Sequence, residues 1–575
     1  MFERHVVRVC VLAVTILLSA IACFNSSETG SVATIQRGRT VSWLTEITVE
    51  VGLDCVLDAG PTVEFMLPEI MRSGAALFDY DNDGDLDVYL TTCTGDPNEE
   101  DDRQAPVNRL YRQQEDGSLA DITTESGLGD AGYGMGMAIG DIDNDGDEDV
   151  YVTNYGLDRL YRNRGDGTFE DVSARAGIEV DGWSMSASFL DYDRDGFLDL
   201  YVIRYVDFDP AIECFDFAGR RDYCSPTVFK PTNDVLLHNN GDGTFIDVSE
   251  ASGIASVSSA GLGVICEDLN DDGWVDIYTA NDAYANQLWV NQKNGTFRDE
   301  GLVMGVAYNI HGHAEAGMGV LTADLDNDAF PDLFVTHLRN ETNTVYRNLG
   351  DGTGFTDVSA ISGLGKSSTP YTGFGTIAVD VELDGDLDIL VANGRVQRGN
   401  PIPDAGVPPP WDLFAEPNQF YLNDGSGRFS LECGVLDSFC SPIEITRALA
   451  TGDIDQDGDL DFLVTNVQGR ARIYRNDAPR VGHWLSVRTL DPHLNRDALG
   501  ARVILILAGQ RQFRTVSSGY SYLSSSPPIA HFGLGDVAQV ERIEVILPDG
   551  LRESFSVESV DRFITLERGA GEPLS

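Results

Sequence analysis

The sequence predicts an all-β protein: a seven-bladed β-propeller followed by a small C-terminal β-sandwich-like domain. The first observation behind this prediction is a nine-residue acidic element that occurs seven times, at intervals of 50 to 77 residues. The second is a set of four strand-like segments in each repeat. The third is that the last repeat lacks its fourth strand, whereas a similar segment precedes the first repeat.

The second repeat illustrates the four predicted strands. Met135–Gly140 alternates small and apolar residues, and the acidic element that follows leads into the β-rich segment Asp149–Thr153. Two further segments, Leu160–Asn163 and Thr168–Ser173, flank a Gly-Asp-Gly turn that supplies the positive φ of a tight hairpin. Seven such units, repeated radially, make a seven-bladed propeller.

Ring closure is also predicted from the sequence. The seventh repeat stops at Ile473–Asn476, and Glu46–Leu53 resembles the fourth segment of the other repeats. We therefore expect an N-terminal strand to complete the last blade. A linear array of β modules is the alternative, and it leaves these two matching deficits unexplained.

The acidic elements predict calcium sites. Positions 1, 3, 5 and 9 carry side-chain oxygens in all seven copies, and position 6 is glycine in six. Hard oxygen ligands along a tight loop, together with a backbone carbonyl at position 7, suit Ca²⁺. We predict up to seven Ca²⁺ ions. The predicted ligands are Asp79, Asp81, Asp83, Asp85 and Asp87 in loop 1; Asp141, Asp143, Asp145, Asp147 and Asp149 in loop 2; Asp191, Asp193, Asp195, Phe197 and Asp199 in loop 3; Asp268, Asn270, Asp272, Trp274 and Asp276 in loop 4; Asp324, Asp326, Asp328, Phe330 and Asp332 in loop 5; Asp380, Glu382, Asp384, Asp386 and Asp388 in loop 6; and Asp453, Asp455, Asp457, Asp459 and Asp461 in loop 7.

Other interpretations of these loops fit less well. An EF-hand needs a glutamate at position 12 and flanking helices, whereas position 12 here lies in a predicted strand. The loops contain no histidine or cysteine, which argues against zinc or copper. Without an ion, carboxylates gathered within about 5 Å repel one another by a few kcal/mol per pair. Asn270, Ala329 and Glu382 depart from the pattern, so we expect loops 4, 5 and 6 to bind more weakly than loops 1, 2 and 7.

Net charge and the N-terminus restrict partners and location. The formal charge of −54, from 39 Lys plus Arg against 93 Asp plus Glu, excludes nucleic acid and anionic membranes as direct partners. Residues 1–22 have a basic start and a short apolar run, which predicts a signal peptide, and residues 23–39 form a polar tether. Cys23 resembles the lipidated cysteine of a bacterial lipoprotein, and an ordinary cleavage near Ala22 is the alternative. The protein is predicted to be exported, as a cell-surface or outer-membrane lipoprotein or in secreted form.

Cysteine spacing predicts disulfides in an oxidising compartment. Cys214 with Cys224 and Cys433 with Cys440 lie close together in irregular segments, and Cys55 with Cys93 is a third candidate pair. Cys266 lies in an apolar strand pattern, so we expect a buried free thiol.

These motifs resemble a known family. The acidic loops with Gly-Asp-Gly-Thr-Phe turns resemble the FG-GAP/VCBS repeats of integrin α-type propellers, here spanning 40–478. Leu499–Arg502, Ser518–Tyr520, His531–Gly535 and Leu547–Gly550 resemble the ASPIC/UnbV domain of the cartilage acidic protein family, here spanning 479–575. Leu547 departs from the tryptophan usual in that family. The resemblance implies secretion, calcium binding through the aspartates above, and a role in adhesion or scaffolding. It does not imply an enzyme.

Two function classes follow. The first is a calcium-binding adhesion or scaffold protein that recognises an extracellular protein or glycan, and the second is a propeller-type hydrolase or lyase acting on polysaccharide. No catalytic constellation supports the second. The long insertions fall on the face opposite the acidic loops, together with Tyr133, Trp183, His311, His313, Glu315 and Tyr371. They form either the partner surface or a cap on the central channel.

Overall fold

Strands rich in glycine, alanine and serine begin every blade and face the centre of the ring. The computed structural model describes residues 42–59, 63–93 and 106–574. Within them, the first strand of each blade contacts the first strands of both neighbouring blades around a closed circle. Small residues permit this approach: a Cβ added to Gly319 would lie 2.0 Å from the carbonyl oxygen of Phe374 in the next blade.

Seven antiparallel four-stranded blades form the ring, as predicted, and the sheet of blade 1 gains a fifth, parallel strand from the C-terminal domain. From the centre outward, the strands are Ala75–Phe78, Asp87–Cys93, Val107–Gln113 and Leu119–Asp121 in blade 1; Gly134–Gly140, Asp149–Asn154, Arg159–Asn163 and Phe169–Asp171 in blade 2; Ser184–Leu190, Asp199–Arg204, Val235–Asn239 and Phe245–Asp247 in blade 3; Gly261–Glu267, Asp276–Asn281, Gln287–Asn291 and Phe297–Asp299 in blade 4; Val320–Ala323, Asp332–Val335, Thr344–Asn348 and Phe355–Asp357 in blade 5; Gly373–Val379, Asp388–Asn393, Gln419–Asn423 and Phe429–Leu431 in blade 6; and Thr446–Gly452, Asp461–Asn466, Arg472–Asn476 and Leu44–Glu46 in blade 7.

The N-terminal strand closes the ring. Leu44–Glu46 pairs antiparallel with Arg472–Asn476, with Leu44 opposite Asn476. The strand therefore ends at Glu46, where the predicted segment begins, and the rest of that segment forms turns. Closure of the propeller by the N-terminal segment is confirmed.

Short elements connect the strands. The α-helices have four or five residues and span Leu67–Met71, Thr123–Ser126, Ser173–Ala176, Ser249–Ser252, Gly301–Met304, Ser359–Ser362, Leu364–Ser368 and Asp437–Cys440; the 3₁₀ helices span Pro226–Val228, Ile254–Ser256 and Trp411–Leu413. Two-residue strand pairs join Val56–Leu57 to Gly469–Arg470, Val206–Asp207 to Lys230–Pro231, Cys214–Phe215 to Arg221–Asp222, and Glu416–Pro417 to Ile443–Glu444. No helix of the described residues has the length and apolar character needed to cross a membrane.

The C-terminal domain is a β-sandwich. One sheet contains Arg496–Asp497, His483–Asp491, Ala530–Gly535 and Arg562–Glu567, and the other contains Gln510–Thr515, Arg502–Leu507, Arg542–Ile546, Arg552–Phe555 and Glu572–Pro573. Leu485 and Phe532 of the first sheet and Leu505 and Ile543 of the second belong to one buried cluster.

A loop of this domain enters the propeller channel, which the sequence did not predict. Ser524–Ser525 pairs in parallel with Ala75–Ala76 of blade 1. Tyr522 and Leu523 are 0% and 1% exposed, and the Tyr522 hydroxyl donates a hydrogen bond to the Met71 carbonyl at 2.7 Å. We call residues 517–527 the plug. Propeller and C-terminal domain therefore share a core within one compact unit, Val41–Ser575.

Serine side chains allow the plug to be buried. The hydroxyl of Ser521 accepts from the Thr376 amide at 3.0 Å, and those of Ser524 and Ser526 accept from inner-strand amides of blade 7 at 3.2 Å. The inner strands have unpaired edges, and each hydroxyl satisfies a backbone group that would otherwise be buried without a partner.

The insertions meet over the opposite mouth of the channel. The Tyr223 ring lies 5.4 Å from both Phe65 and Phe414, and the Arg398 amide donates to the Asp222 carboxylate. Trp183 and Trp411 are each 1% exposed. These aromatic residues cap the channel, whereas His311 and His313 are exposed.

All three predicted cysteine pairs are bonded. Their Cα separations are 5.3 Å for Cys55–Cys93, 5.2 Å for Cys214–Cys224 and 5.6 Å for Cys433–Cys440. Cys266 is a buried free thiol, and burial raises its pKa to about 12. The predicted signal peptide, the tether and Cys23 lie outside the described residues.

Replacing Leu523 with alanine should destabilise the whole protein, because the side chain fills the channel core. We expect Leu523→Ala to lower the free energy of unfolding by about 2–5 kcal/mol in denaturant titrations. Leu551→Ala, at a site 38% exposed on the same domain, should cost under about 0.5 kcal/mol. Equal effects of the two changes would contradict the buried plug.

Candidate metal sites

Each acidic loop connects the first two strands of a blade and is closed by its own carboxylates. In loop 1, the Asp79 oxygens accept the amides of Asp83 and Gly84, both at 3.0 Å. The Asp83 carboxylate accepts the Asp85 amide, also at 3.0 Å. The bond from the position 7 amide to the position 5 carboxylate recurs in all seven loops.

The position 9 aspartate ties the loop to its blade. One Asp87 oxygen accepts the Tyr80 amide at 3.2 Å, and the other accepts the Gln113 amide at 2.8 Å. Asp87 is fully buried, and burial raises its pKa to about 8. The same pair of bonds forms at the equivalent residues Asp149, Asp199, Asp276, Asp332, Asp388 and Asp461.

The loop backbone is left-handed at two positions. Position 6 has φ between +70° and +104°, and Ala329 in loop 5 adopts +70° despite its Cβ, as the sequence predicted. Position 4 is also left-handed, which sequence reasoning missed. Asn82 and Asn144 suit this conformation, whereas Leu383 in loop 6 adopts φ +64° at a steric cost.

A circle of side-chain hydrogen bonds joins the loops to neighbouring blades. The Asn163 amide of blade 2 donates to the Tyr80 carbonyl in loop 1 at 2.8 Å, and Gln113 of blade 1 donates to Ile454 in loop 7 at 3.0 Å, which completes the circle. The donors between the other blades are Asn239, Asn291, Asn348, Asn423 and Asn476. An asparagine ends the third strand of blades 2 to 7 and recurs in the sequence, but only the fold shows that it bridges blades.

Several buried loop oxygens have no hydrogen-bond donor within the described chain. They include Asp81 Oδ1, Asp143 Oδ1, Asp326 Oδ1 and Glu382 Oε2, all at position 3. In loop 1, oxygens of Asp79, Asp81 and Asp87 lie within 4.8 Å of one another. A buried carboxylate oxygen without a donor is costly unless a cation approaches it, so this donor set fits a hard divalent ion. Comparable acidic clusters occur in loops 2, 3 and 5.

Arginines offset part of the acidic charge. Arg162 Nε lies 2.6 Å from Asp143 Oδ2, and Arg347 Nε lies 3.0 Å from Asp326 Oδ2. Both arginines occupy the residue before the bridging asparagine. They partly neutralise position 3 of loops 2 and 5.

The C-terminal domain sits directly on the loops. Arg502 Nη1 lies 3.2 Å from Asp271 Oδ1, Arg496 Nε donates to Asn144 Oδ1 at 2.9 Å, and His531 Nε2 lies 3.0 Å from the Gly458 carbonyl oxygen. Burial lowers the pKa of His531 to about 4, so its neutral ring donates this bond. Much of the acidic face is therefore covered by the chain itself.

Loop 3 contradicts one sequence argument. The nine-residue loops contain no histidine, but the third strand of blade 3 brings His238 into loop 3, with Nδ1 3.0 Å from Asp199 Oδ1. The available signal was the substitution of histidine for arginine in the Leu-Leu-His-Asn segment, compared with Leu-Tyr-Arg-Asn in blade 2. Loop 3 therefore offers a metal ion an imidazole nitrogen as well as carboxylates.

Relieving the strained backbone in loop 5 should stabilise the protein. We expect Ala329→Gly to raise the free energy of unfolding by about 1 kcal/mol, because glycine adopts the left-handed conformation without a Cβ clash. The matched change Gly84→Ala in loop 1, where no atom lies within 4 Å of the added Cβ, should lower it similarly. Thermal unfolding measures both, and shifts of the same sign would contradict the backbone argument.

Comparisons with known proteins agree with these features. The FG-GAP-like repeat model matches residues 79–152, 141–202, 268–335 and 324–391, and the ASPIC and UnbV model matches 491–573. Mouse (Mus musculus) cartilage acidic protein 1 is 28% identical over 56% of this chain and 47% of its own length. The human (Homo sapiens) protein is 26% identical over 58% of this chain and 40% of its own. The matches span under half the length of these relatives.

Solved structures similar to this chain include an Agrocybe aegerita lectin that recognises non-reducing terminal N-acetylglucosamine. The TM-score is 0.38 and the sequence identity is 18%. The match covers 63% of this chain and 80% of the lectin. Another is YCF48 bound to D1 peptide, with a TM-score of 0.38 and 8% identity. That match covers 75% of this chain and 94% of YCF48. The matched sequence models show that the chain carries FG-GAP repeats followed by an ASPIC/UnbV domain, and the mouse and human cartilage acidic protein 1 sequences are among its homologues.

Proposed function

We propose that this protein is an extracellular, calcium-loaded adhesion or scaffold protein that recognises a glycan through the face opposite the acidic loops. The observation that carries the proposal is the set of buried carboxylate oxygens without donors, in loops that a circle of bonds joins across all seven blades. Ions held there would fix the ring rigidly. A rigid ring presents its surface loops to a partner at little entropic cost.

Calcium would be held by the side chains at positions 1, 3, 5 and 9 and the carbonyl at position 7. In its absence, burial and neighbouring carboxylates raise the pKa of Asp453 to about 7 and that of Asp459 to about 8. A divalent cation favours the ionised form of such groups and removes their mutual repulsion. The metal therefore supplies the positive charge that the loops lack.

Three disulfides support an extracellular location. Such bonds persist in oxidising compartments and are rare in the cytosol. Millimolar extracellular calcium also suffices for loop sites of modest affinity.

The glycan site proposed is a cavity of about 910 Å³ beside blade 3, on the face opposite the loops. Small-molecule sites commonly measure about 300–1,000 Å³. The half-buried rings of Tyr155 and Phe208 lie in its wall, with centroids 5.9 Å apart, and Lys230 and Asn233 add polar groups. Aromatic surface beside hydrogen-bonding side chains suits a sugar, which has apolar faces and polar edges.

Arg204 supplies a charged donor that has no partner in the described part of the chain. It lines the cavity, and its Nε is buried with no acceptor among the described residues. Burial raises the pKa of the adjacent Asp234 to about 6, although hydrogen bonds and the Arg204 charge oppose the rise. A sugar hydroxyl or carboxylate would satisfy the guanidinium.

Removing calcium should destabilise the protein increasingly as pH rises. Raised pKa values mean that the folded, metal-free protein binds more protons than the unfolded chain, whose aspartates titrate near 4. Its free energy of unfolding therefore falls as pH rises from about 4 through 8. We expect the melting temperature in chelator to fall between pH 5 and pH 8, and to fall less with calcium.

A variant of a predicted calcium ligand and a matched control test whether the calcium effect on the melting temperature arises at the loops. Asp81→Asn should reduce the calcium-dependent rise in melting temperature, whereas Asp116→Asn in the exposed turn of blade 1 should not. Identical melting curves with calcium and with chelator at pH 8 would remove the basis of the proposal.

A glycan array in calcium should identify a bound sugar, and Arg204→Gln should weaken that binding at least tenfold through loss of a charged donor. Arg220→Gln, in the same insertion but outside the cavity lining and 63% exposed, should leave the affinity unchanged. Prolonged incubation should release no product. Binding that is unaffected by Arg204→Gln would contradict this site, and turnover would favour a hydrolase or lyase instead.

A further inference from the structure

We infer that loop 3 is a mixed carboxylate–imidazole site that binds a first-row transition-metal ion in preference to Ca²⁺. This inference goes beyond the proposed calcium function, because it concerns a different ion held by a side chain from outside the nine-residue loop. His238 on the third strand of blade 3 provides the imidazole.

The ligand atoms of this site are already close together. His238 Nδ1 lies 3.0 Å from Asp199 Oδ1 and 3.6 Å from Asp193 Oδ2, and the three ligand atoms lie within 4.8 Å of one another. The histidine and Asp193 side chains are 23% and 28% exposed, whereas Asp199 is fully buried. An ion could therefore enter the site from the solvent beside His238 and Asp193, and the buried Asp199 carboxylate lies on the inner side.

Loop 3 also differs from the other six loops in its internal bonds. In each of those, the position 5 amide donates to the first carboxylate, as the Asp83 amide does to Asp79 Oδ1 at 3.0 Å. In loop 3 the Asp195 amide bonds to Asp193 instead, at 3.3 Å. Asp191 Oδ1 is consequently buried with no donor among the described residues. Asp191 also clusters with Asp193, one of the three ligands, so it offers the site a further carboxylate.

The side chain at the His238 position sets the metal preference. Blades 1, 2, 5 and 7 carry arginine there, and blades 4 and 6 carry valine and leucine. Arginine has no lone pair to donate to a metal, and aliphatic residues have no ligand atom. An imidazole nitrogen suits zinc, cobalt and related ions, whereas Ca²⁺ prefers a shell made entirely of oxygen.

Surrounding bonds hold the ligands in place. The Asn239 amide donates to Asp199 Oδ1 at 2.9 Å, and the Tyr192 amide donates to Asp199 Oδ2 at 3.3 Å. The Tyr192 ring contacts His238 edge-on, with centroids 6.0 Å apart. Fixed orientation of the ligands reduces the cost of ordering them around an ion.

The test is Co²⁺ binding by the purified, metal-stripped protein in excess Ca²⁺. We expect one tightly held Co²⁺ per chain, with visible ligand-field bands and an X-ray absorption spectrum that contains an imidazole nitrogen. Two variants should each lose this bound Co²⁺: His238→Gln, and His238→Arg, which introduces the residue found at the same position in blade 2. His483→Gln should retain it, because His483 pairs with Asp561 in the C-terminal domain, away from any loop.

Three results would overturn the inference: no Co²⁺ retained in excess Ca²⁺, retention by both His238 variants, or a wild-type absorption spectrum with oxygen ligands alone. The last measurement does not depend on whether a variant folds. Counting Ca²⁺ in the same samples separates the two proposals. Calcium without cobalt contradicts only this inference, and cobalt without calcium contradicts only the proposed calcium function.

Discussion

The crowding of carboxylates in the seven acidic loops is the constraint on which the rest of the structure depends. Each loop folds by directing backbone amides at its first and ninth aspartates, which brings like charges together in a partly buried site. Backbone amides and nearby arginines compensate only part of this charge, as the donorless oxygen of Asp81 illustrates. A divalent cation at each loop would complete the compensation.

The loops are also the junctions between blades. Each bridging asparagine bonds to two blades. Its side-chain amide donates to the loop of the preceding blade, and its backbone amide donates to the position 9 aspartate of its own blade, as Asn163 does to Asp149. A change at one loop therefore acts on two blades. Since the bonds run round the entire circle, the order of each loop supports closure of the ring, which the N-terminal strand Leu44–Glu46 completes.

The C-terminal domain gives the two faces of the ring different roles. It covers the acidic face with Arg496 and Arg502 and fills the channel with its serine-rich plug, so that domain and propeller form one unit. The opposite face carries the insertions, part of which close the channel around Trp183 and Trp411. The cavity beside Arg204 lies on this second face, clear of the covering domain.

The sequence by itself determined the repeat number, the strands of each blade, the closing N-terminal strand, the cysteine pairs and the left-handed strain at Ala329. These features are local, or they follow from repetition, and a single chain displays both directly. Only the tertiary structure decided that the bridging asparagines join neighbouring blades, that Tyr522 and Leu523 fill the channel, and that His238 enters loop 3. Each of these depends on contacts between distant segments that the repeat pattern does not specify.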